Sequence, residues 1–175
     1  MVGLDPIEAE ECLRRMVYCV DRREQPTENL AKRLEYLQPN VRETINAGDY
    51  TAKTLLPNGE WFYCPVAIER KMSLTEISGN LTRERERFRA EFNRAREHGI
   101  RLYILIEQSS WEDAYAGAYR SQMKPQSLIA SLLTWCARYN APLFLCGRSE
   151  TGGKLIRDIL HYEMREALDR MVNYG

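Results

Sequence analysis

The stretch that decides the fold is Ile68 to Leu74 (IERKMSL), which follows the apolar run from Tyr63 to Ala67 (YCPVA). The apolar run predicts a buried strand, and the residues after it predict the start of a helix. Because side chains alternate along a strand, Glu69 and Lys71 share one face and Arg70 takes the other. Two interpretations are open. Either the strand has simply reached solvent, or Glu69 and Lys71 point together into a cleft and do chemistry.

The same strand belongs to a predicted hairpin. Pro57-Asn58-Gly59 separates two strand-like runs, residues 50–56 and 61–68. An Asn-Gly pair between such runs is among the strongest short signals for a tight turn. We therefore expect these two strands to be antiparallel neighbours.

The register of this hairpin decides which acids meet. A two-residue turn at Asn58-Gly59 would set Asp49 opposite Ile68, so that Glu69 would lie on the wrong face. One extra residue, from a three-residue loop or from a bulge near Pro65, would set Asp49 opposite Glu69. We predict such an irregularity.

Two facing carboxylates predict a metal site. The Cβ atoms of directly opposed strand residues lie roughly 4.5–5.5 Å apart, where like charges repel unless a cation lies between them. Magnesium takes oxygen ligands, keeps several waters and commonly uses one or two carboxylates together with a substrate phosphate. Lys71 would orient a water and stabilise charge on the phosphate, so the predicted reaction is phosphodiester hydrolysis. A Glu-x-Lys triplet alone is weak support, since one is expected about once by chance in a chain of this length.

The rest of the chain predicts an α/β fold with one mixed β-sheet and helices on both of its faces. The nearly continuous apolar runs at 101–107 and 142–146 are typical of strands covered by helices on both sides. Apolar residues recur at helical spacing over 74–96 and predict one long amphipathic helix. A single domain is expected over 1–175, with a short N-terminal helix at 6–13 and a core over about 15–172. The other predicted elements are strands at 16–20, 101–107 and 142–146, and helices at 26–37, 111–119, 125–139 and 153–172.

Composition narrows the function classes. With 175 residues, 44% of them hydrophobic, the chain can bury one good core. Its 25 basic and 25 acidic residues cancel, so any binding of nucleic acid must come from a local patch. No run approaches the roughly 20 apolar residues of a membrane span, which favours a cytoplasmic protein without a membrane partner. The five cysteines include no Cys-x-x-Cys pair, which argues against a zinc site and a disulfide framework.

Three other signals are weaker. Residues 143–155 (LFLCGRSETGGKL) resemble a phosphate-binding loop, but the loop is one residue too long and Leu155 follows Lys154 where a serine or threonine is required. We therefore predict no nucleotide cofactor. The chain has only two histidines, too few for a histidine-metal nuclease. Arginines and glutamates alternate over 83–97, which favours a solvated helix face over a phosphate track.

Three motifs occur in order along the chain: Val20 to Glu24 (VDRRE), Gly48-Asp49-Tyr50, and Ile68 to Lys71 (IERK) followed by Met72 to Leu81 (MSLTEISGNL). Together they resemble the nuclease domain of the XPF-type, or excision-repair ERCC-type, structure-specific endonucleases, a branch of the PD-(D/E)XK superfamily. The resemblance covers roughly residues 17–159. It implies a restriction-endonuclease-like fold with a central hairpin.

The resemblance also implies residue roles. Asp49 and Glu69 would ligate Mg²⁺, with Mn²⁺ able to substitute, and Lys71 would be the catalytic lysine. Asp21 and Glu24 would add acidity at the rim, as metal ligands through water or as groups that orient the ligands, and Asp21 is counted among the metal residues. Three further residues would support the site. Arg23 would hold a phosphate or fix a carboxylate. The carbonyl of Arg70 is a further candidate ligand, while its side chain is structural, and Glu76 is the third supporting residue.

Two departures from the family pattern stand out. The last acid of the family signature Glu-Arg-Lys-x-x-x-Asp falls on Thr75, and Glu76 is the candidate to replace it. The sequence shows no helix-hairpin-helix region, so it resembles the compact, stand-alone form found in bacterial and phage genomes. Relatives dimerise through the nuclease domain, which implies a homodimer.

The leading hypothesis is a magnesium-dependent endonuclease that cuts branched, flapped or forked DNA. The alternative, which the Thr75 departure permits, is a nuclease-fold module that binds DNA junctions or a partner protein without cleaving. Sequence-specific restriction cleavage shares the predicted fold and is a third interpretation. Recombination, repair and phage DNA processing all remain open as pathways.

Overall fold

A seven-stranded mixed β-sheet lies at the centre of the computed structural model, which describes residues 3–174. The strands are β1 (Val17–Asp21), β2 (Asn40–Glu43), β3 (Tyr50–Leu55), β4 (Trp61–Tyr63), β5 (Val66–Lys71), β6 (Arg101–Ile106) and β7 (Leu143–Leu145). The helices are α1 (Pro6–Arg14), α2 (Glu28–Leu34), α3 (Leu74–Leu81), α4 (Arg85–Glu97), α5 (Trp111–Ala116), α6 (Pro125–Tyr139) and α7 (Ser149–Tyr174).

The strand order is β2-β1-β3-β5-β6-β7, and β4 pairs with β3 outside this path. Strand β3 runs antiparallel to both of its neighbours β1 and β5, while β5, β6 and β7 are mutually parallel. The carboxyl ends of β1, β2, β5, β6 and β7 and the amino end of β3 therefore meet at one edge of the sheet. This topology gathers the three sequence motifs at that edge.

Helices cover both faces of the sheet. One hydrophobic core lies under α1, α2 and α7 and includes Tyr50, Ile68 and Leu160. The other lies under α3, α4 and α6 and includes Phe88 and Trp135, whose rings stack 5.2 Å apart. The predicted fold class, a mixed α/β sheet with a central hairpin and helices on both faces, is confirmed. None of the helices in the described residues is long and apolar enough to cross a bilayer.

The hairpin register is irregular, as predicted. Lys53 pairs with Tyr63 on the loop side, where Pro57-Asn58-Gly59 forms a three-residue loop closed by a hydrogen bond from Leu56 N to Glu60 O of 2.9 Å. Further along, Tyr50 pairs with Ile68, so the second strand contains two more residues than the first between these pairs. The extra residues fall at the break between β4 and β5.

This break occurs at Cys64-Pro65, where the proline has no N–H to donate to the ladder. The predicted position of the irregularity is confirmed, but the predicted size of one residue was wrong. Relative to a two-residue turn, the three-residue loop moves the strand pairing by one residue away from the predicted register. The two extra residues at the break move the pairing by two residues in the other direction, which gives the predicted register at Tyr50 and Ile68. The pairing of Tyr50 with Ile68 leaves Asp49 next to the end of β5, where Asp49 N donates to the Ile68 carbonyl at 2.8 Å.

The predicted long helix over 74–96 was wrong, because the chain forms α3 and α4 with a break between them. Thr82 leaves the helical conformation at φ −116° and ψ −88°. Its hydroxyl donates to the Ser78 carbonyl at 2.7 Å, a local bond that competes with helix continuation. The apolar spacing runs through the break because both helices face the same core.

Strand β2 was missed, and the predicted helix at 26–37 is shorter in the structure. Thr27 caps α2, and its side chain accepts from Leu30 N at 3.1 Å. All four residues of β2 are only partly buried because the strand lies at the edge of the sheet. An edge strand of polar residues carries no apolar pattern that sequence inspection could detect.

A buried ionic network ties the sheet to α2 and α7. Glu107, which directly follows β6, is fully buried and accepts from Arg33 Nη1 at 2.8 Å and from Ser149 Oγ at 3.0 Å. The glycines that resembled part of a phosphate-binding loop serve close packing here. A Cβ on Gly152 would lie 2.3 Å from Glu107 Oε1, and one on Gly153 would lie 2.9 Å from Arg33 Cα.

Replacing Gly152 with alanine should lower the free energy of unfolding by about 1–3 kcal/mol, the usual cost of overpacking a filled interior. The added methyl would push the Glu107 carboxylate away from Arg33. Urea denaturation measures the change. Gly147→Ala is the matched control, because nothing lies within 4 Å of a Cβ at Gly147. Equal stability of the two variants would contradict this account of the network.

Candidate active site

The acidic end of β3 is brought close to β5 by Gly48 and Asp49. Gly48 has a φ of +74°, and a Cβ there would lie 3.0 Å from the Ile68 carbonyl oxygen, so only glycine fits without strain. Asp49 N donates to that same oxygen at 2.8 Å. In return, Asp49 Oδ2 accepts from Arg70 N at 2.8 Å. These bonds fix the Asp49 carboxylate beside the end of β5.

Glu69 and Lys71 form a buried ion pair on the same face of β5. Their side chains are 4% and 10% exposed, and Lys71 Nζ lies 2.6 Å from Glu69 Oε1. The other oxygen, Glu69 Oε2, is buried and has no hydrogen-bond partner among the described residues. The ammonium also lies 5.2 Å from the centre of the Phe88 ring. The solvated-strand interpretation is therefore wrong for this pair of side chains.

Burial and nearby negative charges raise the pKa values of Glu69 and Asp49. Burial raises the pKa of Glu69 to about 7, with Lys71 opposing the shift and Glu91 adding to it. Burial, together with the negative charges of Glu69 and Glu24, raises the pKa of Asp49 well above its usual value. In both acids, burial and the nearby negative charges favour the protonated form.

Lys71 stays protonated in this environment. Burial by itself lowers the pKa of Lys71, but the negative charges of Glu69, Asp49 and Glu76 outweigh it, so the pKa lies above its ordinary value. An ammonium with a raised pKa is a hydrogen-bond donor and a positive charge at neutral pH. It is not a general base.

Glu91 is an additional site residue that sequence reasoning assigned to a solvated helix face. It lies on α4, lines the same cavity as Glu69 and Lys71, and accepts from Gly48 N at 3.4 Å. The sequence signal is its position three residues after Phe88, at the border of the buried helix face. The other acids of this helix largely match the original interpretation, since Glu86 forms an exposed pair with Arg89 at 3.3 Å.

Asp21 holds Arg23. Asp21 is 1% exposed, and its oxygens accept from Arg23 N, Arg23 Nε and Arg23 Nη2 at 2.7–3.1 Å and from Ile45 N at 3.2 Å. Its carboxylate does not line the cavity, whereas the Arg23 side chain, 64% exposed, does. Asp21 as a metal ligand stays a prediction, and direct coordination would require the release of these bonds.

Glu24 and Arg70 belong to the buried network on the opposite side of the sheet. Glu24 accepts from Tyr50 Oη at 2.6 Å, from Arg70 Nη2 at 3.2 Å and from Arg33 Nη2 at 3.3 Å. Arg70 also lies 3.7 Å from Glu107. The arrangement agrees with the structural role expected for the Arg70 side chain, and it connects the active-site edge to the network around Glu107.

Thr75 and Glu76, where the sequence departs from the family signature, make contacts with different parts of the structure. Glu76 accepts from Met72 N at 2.7 Å and places its other oxygen 4.0 Å from Lys71 Nζ, so it adds an acid to the site. Thr75 is exposed, and its hydroxyl accepts from Arg120 N at 3.0 Å. Thr75 thus bonds to the loop between α5 and α6, which is distant in sequence.

A cavity of about 500 Å³ joins these groups. The predicted site residues that line it are Arg23, Glu24, Asp49, Glu69, Arg70, Lys71 and Glu76. Seven of the eight predicted residues are therefore together, and Asp21 lies behind Arg23.

The residues present fit a magnesium ion. Within residues 3–174, no three histidine, cysteine, aspartate or glutamate side chains are grouped closely enough to hold a metal by themselves. Magnesium needs only one or two carboxylates, because waters and a substrate phosphate complete its shell. Glu69 Oε2, which has no hydrogen-bond partner among the described residues, and the Asp49 carboxylate in the same cavity supply that chemistry.

The seven-stranded mixed sheet with helices on both faces agrees with the restriction-endonuclease-like fold that the sequence resemblance implies. The family model described as the ERCC4 domain matches residues 20–158. The chain therefore belongs to the ERCC4-domain family, which confirms the resemblance drawn from the three motifs.

Solved structures show the same fold. XPF from Aeropyrum pernix superposes with a TM-score of 0.61 at 18% identity, covering 86% of this chain and 62% of that one. XPF from Aeropyrum pernix in complex with DNA gives a TM-score of 0.59 at 19% identity, with 87% and 66% covered. The chain thus spans slightly less than two thirds of these proteins. A sequence comparison with curated proteins finds no match.

Replacing Glu91 with glutamine should lower the pKa of Glu69, because it removes a negative charge that disfavours ionisation of the buried carboxyl. Carboxyl-carbon NMR over a pH titration measures the shift directly. Glu86→Gln is the matched control on the same helix, since Glu86 lies outside the cavity. A Glu69 pKa that is the same in both variants would show that Glu91 is not part of the site.

Proposed function

We propose that the protein is a magnesium-dependent endonuclease that hydrolyses phosphodiester bonds in structured DNA, such as forks, flaps and branches. The observation that carries the proposal is the buried Glu69 carboxylate, which has one oxygen on Lys71 and the other without a hydrogen-bond partner among the described residues, in a cavity that Asp49 also lines. Membership in the ERCC4-domain family and the fold shared with XPF support it.

Asp49 and Glu69 would hold the ion, with Mn²⁺ able to replace Mg²⁺. When bound, Mg²⁺ acts as a Lewis acid on a phosphate oxygen and lowers the pKa of a bound water. Glu91 and Glu76 add negative charge that favours a divalent cation in the same cavity.

Lys71 supplies a fixed ammonium next to the reacting phosphate. Because its charge is held by Glu69 at 2.6 Å, the ammonium is already oriented before the substrate binds. It can donate to a phosphate oxygen and stabilise the charge that develops in the transition state. Arg23, exposed at the rim and fixed by Asp21, offers a second cation for an adjacent phosphate.

The DNA substrate is a proposal drawn from the site and from relatives. The XPF structure solved in complex with DNA shows that the same fold accompanies DNA binding in that protein. The formal net charge of zero provides no general attraction for a polyanion, so we expect the local cations at the cavity to select where the strand enters.

One observation favours a second candidate function, a module that binds DNA junctions without cleaving them. Thr75 replaces the last acid of the family signature, and its hydroxyl is already engaged by Arg120 N. If the missing acid is essential, the cavity would bind a strand and leave it intact. Cleavage of unbranched linear duplex would instead favour restriction-type activity.

Lys71→Ala should lower the rate of cleavage of forked DNA in Mg²⁺ by roughly 10²–10³-fold, the usual effect of removing one positioned charge from a transition state. The assay follows a labelled fork under single-turnover conditions. Lys32→Ala is the control, because Lys32 pairs with Glu28 and Glu150 and none of the three lines the cavity. Equal cleavage by Lys71→Ala and wild type would remove the claim. Binding without cleavage by the wild type would establish the second candidate.

The homodimer implied by the family resemblance is a further proposal. A dimer would provide a second binding surface for a chain whose own field is neutral. Sedimentation equilibrium at micromolar concentration should give a mass near twice the 20.5 kDa of one chain. A mass of one chain at all concentrations, with and without forked DNA, would contradict this proposal.

A further inference from the structure

A second cavity of about 610 Å³ adjoins the active site. It lies between α3 and the loop that connects α5 to α6. Thr75, Gly79 and Arg83 line both cavities, so the two spaces meet along one side of α3. At this junction, an Arg83 Nη2 atom lies 3.6 Å from the position a Cβ on Gly79 would take. We call the second space the arginine groove.

The arginine groove differs from the active-site cavity in charge. Its only charged lining residues are Arg83 and Arg120, and it has no acidic lining residue in the part of the chain that the structure describes. The active-site cavity, in contrast, is lined by six acids, among them Glu69 and Glu91. Two arginines without acids attract a phosphate, whereas the five basic residues of the active-site cavity lie among its six acids.

Neither arginine of the groove has an acidic partner. Arg23, Arg70 and Arg87 in the neighbouring cavity all lie within 4.0 Å of a carboxylate. Arg83 and Arg120 make no salt bridge with any described residue, and both are exposed. Their guanidinium donors are therefore available for a phosphate, whose oxygens match the planar fork of arginine.

The loop that carries Arg120 is fixed from two sides. Arg120 N donates to Thr75 Oγ1 at 3.0 Å, and Tyr119 Oη donates to the Met123 carbonyl at 2.9 Å. Thr75 is the residue that replaces the last acid of the family signature. In this chain the position holds the loop against α3, so the departure from the signature has a structural consequence next to the active site.

We propose that the arginine groove binds a backbone phosphate of the DNA strand that continues from the scissile bond, and that Thr75 positions Arg120 for this contact. The proposal rests on the proposed function, since it names where the substrate of that site extends. Contact in the groove needs no metal, because its lining is already positive. The groove thus binds the strand and the acid-lined cavity carries out the chemistry.

The test measures binding of forked DNA in EDTA, so that cleavage and metal binding play no part. Arg83→Ala and Arg120→Ala should each weaken binding about tenfold, the effect of losing one charge-assisted contact, and should reduce the salt slope by about 1. Arg120→Lys should restore most of the affinity. Arg138→Ala, an exposed arginine at the end of α6 without a salt bridge, is the control and should bind like wild type.

The Thr75→Val variant tests whether Thr75 positions Arg120, and it leaves the charge of the arginine unchanged. It keeps the shape of the side chain but removes the oxygen that accepts from Arg120 N. Binding should weaken, and a further Arg120→Ala change should add little, because the arginine has already lost its position. Fully additive effects of the two changes, or wild-type binding by Thr75→Val, would overturn the positioning role.

The outcomes distinguish this inference from the proposed function. Arginine-dependent binding without cleavage would support the groove and defeat the nuclease. Cleavage of forked DNA with unchanged affinity and salt slope in Arg83→Ala and Arg120→Ala would support the nuclease and overturn the groove. Thermal unfolding of each variant shows whether an exposed substitution has changed the fold.

Discussion

The register between β3 and β5 is the constraint on which the site depends. Two extra residues at Cys64-Pro65 set Tyr50 opposite Ile68, and Asp49 then bonds to the end of β5 through Arg70 N. A one-residue difference would turn Glu69 to the other face of the sheet. The proline suits this position because it lacks an N–H for the ladder, so the break in pairing leaves no donor unsatisfied. A local irregularity in the backbone thus decides whether two acids meet.

The fold holds Asp49 and Glu69 close together, although burial and mutual repulsion disfavour their charged forms. Burial and mutual repulsion raise the pKa values of Asp49 and Glu69, and the Lys71 ammonium compensates only part of that charge. Removing one partner from a buried pair leaves an unpaired charge, which is strongly destabilising. The hydrogen bonding is also incomplete, because Glu69 Oε2 is buried and has no partner among the described residues. Carboxyls with perturbed pKa values cluster at functional sites, and this pair lies in a cavity.

The sequence predicted the features that depend on local order. Strand alternation placed Glu69 and Lys71 on one face, and the resemblance carried by the three motifs implied that Asp21, Asp49 and Glu69 serve one site. Features that depend on tertiary contacts could not be predicted. Glu91 lines the site from α4, which is a separate helix because the chain leaves the helical conformation at Thr82. The edge strand β2 has no apolar pattern, and the bond between Thr75 and Arg120 joins residues 45 positions apart.

The central claim is that Asp49 and Glu69 hold one divalent cation next to Lys71. A crystal structure of the protein soaked in Mn²⁺, with anomalous scattering measured at the manganese edge, tests it most directly. We expect one strong peak bonded to a carboxylate oxygen of each acid, at roughly the 2.0–2.3 Å typical of small divalent ions. The absence of a peak between them, with Glu69 still paired to Lys71 and Mn²⁺ bound only elsewhere, would contradict the claim.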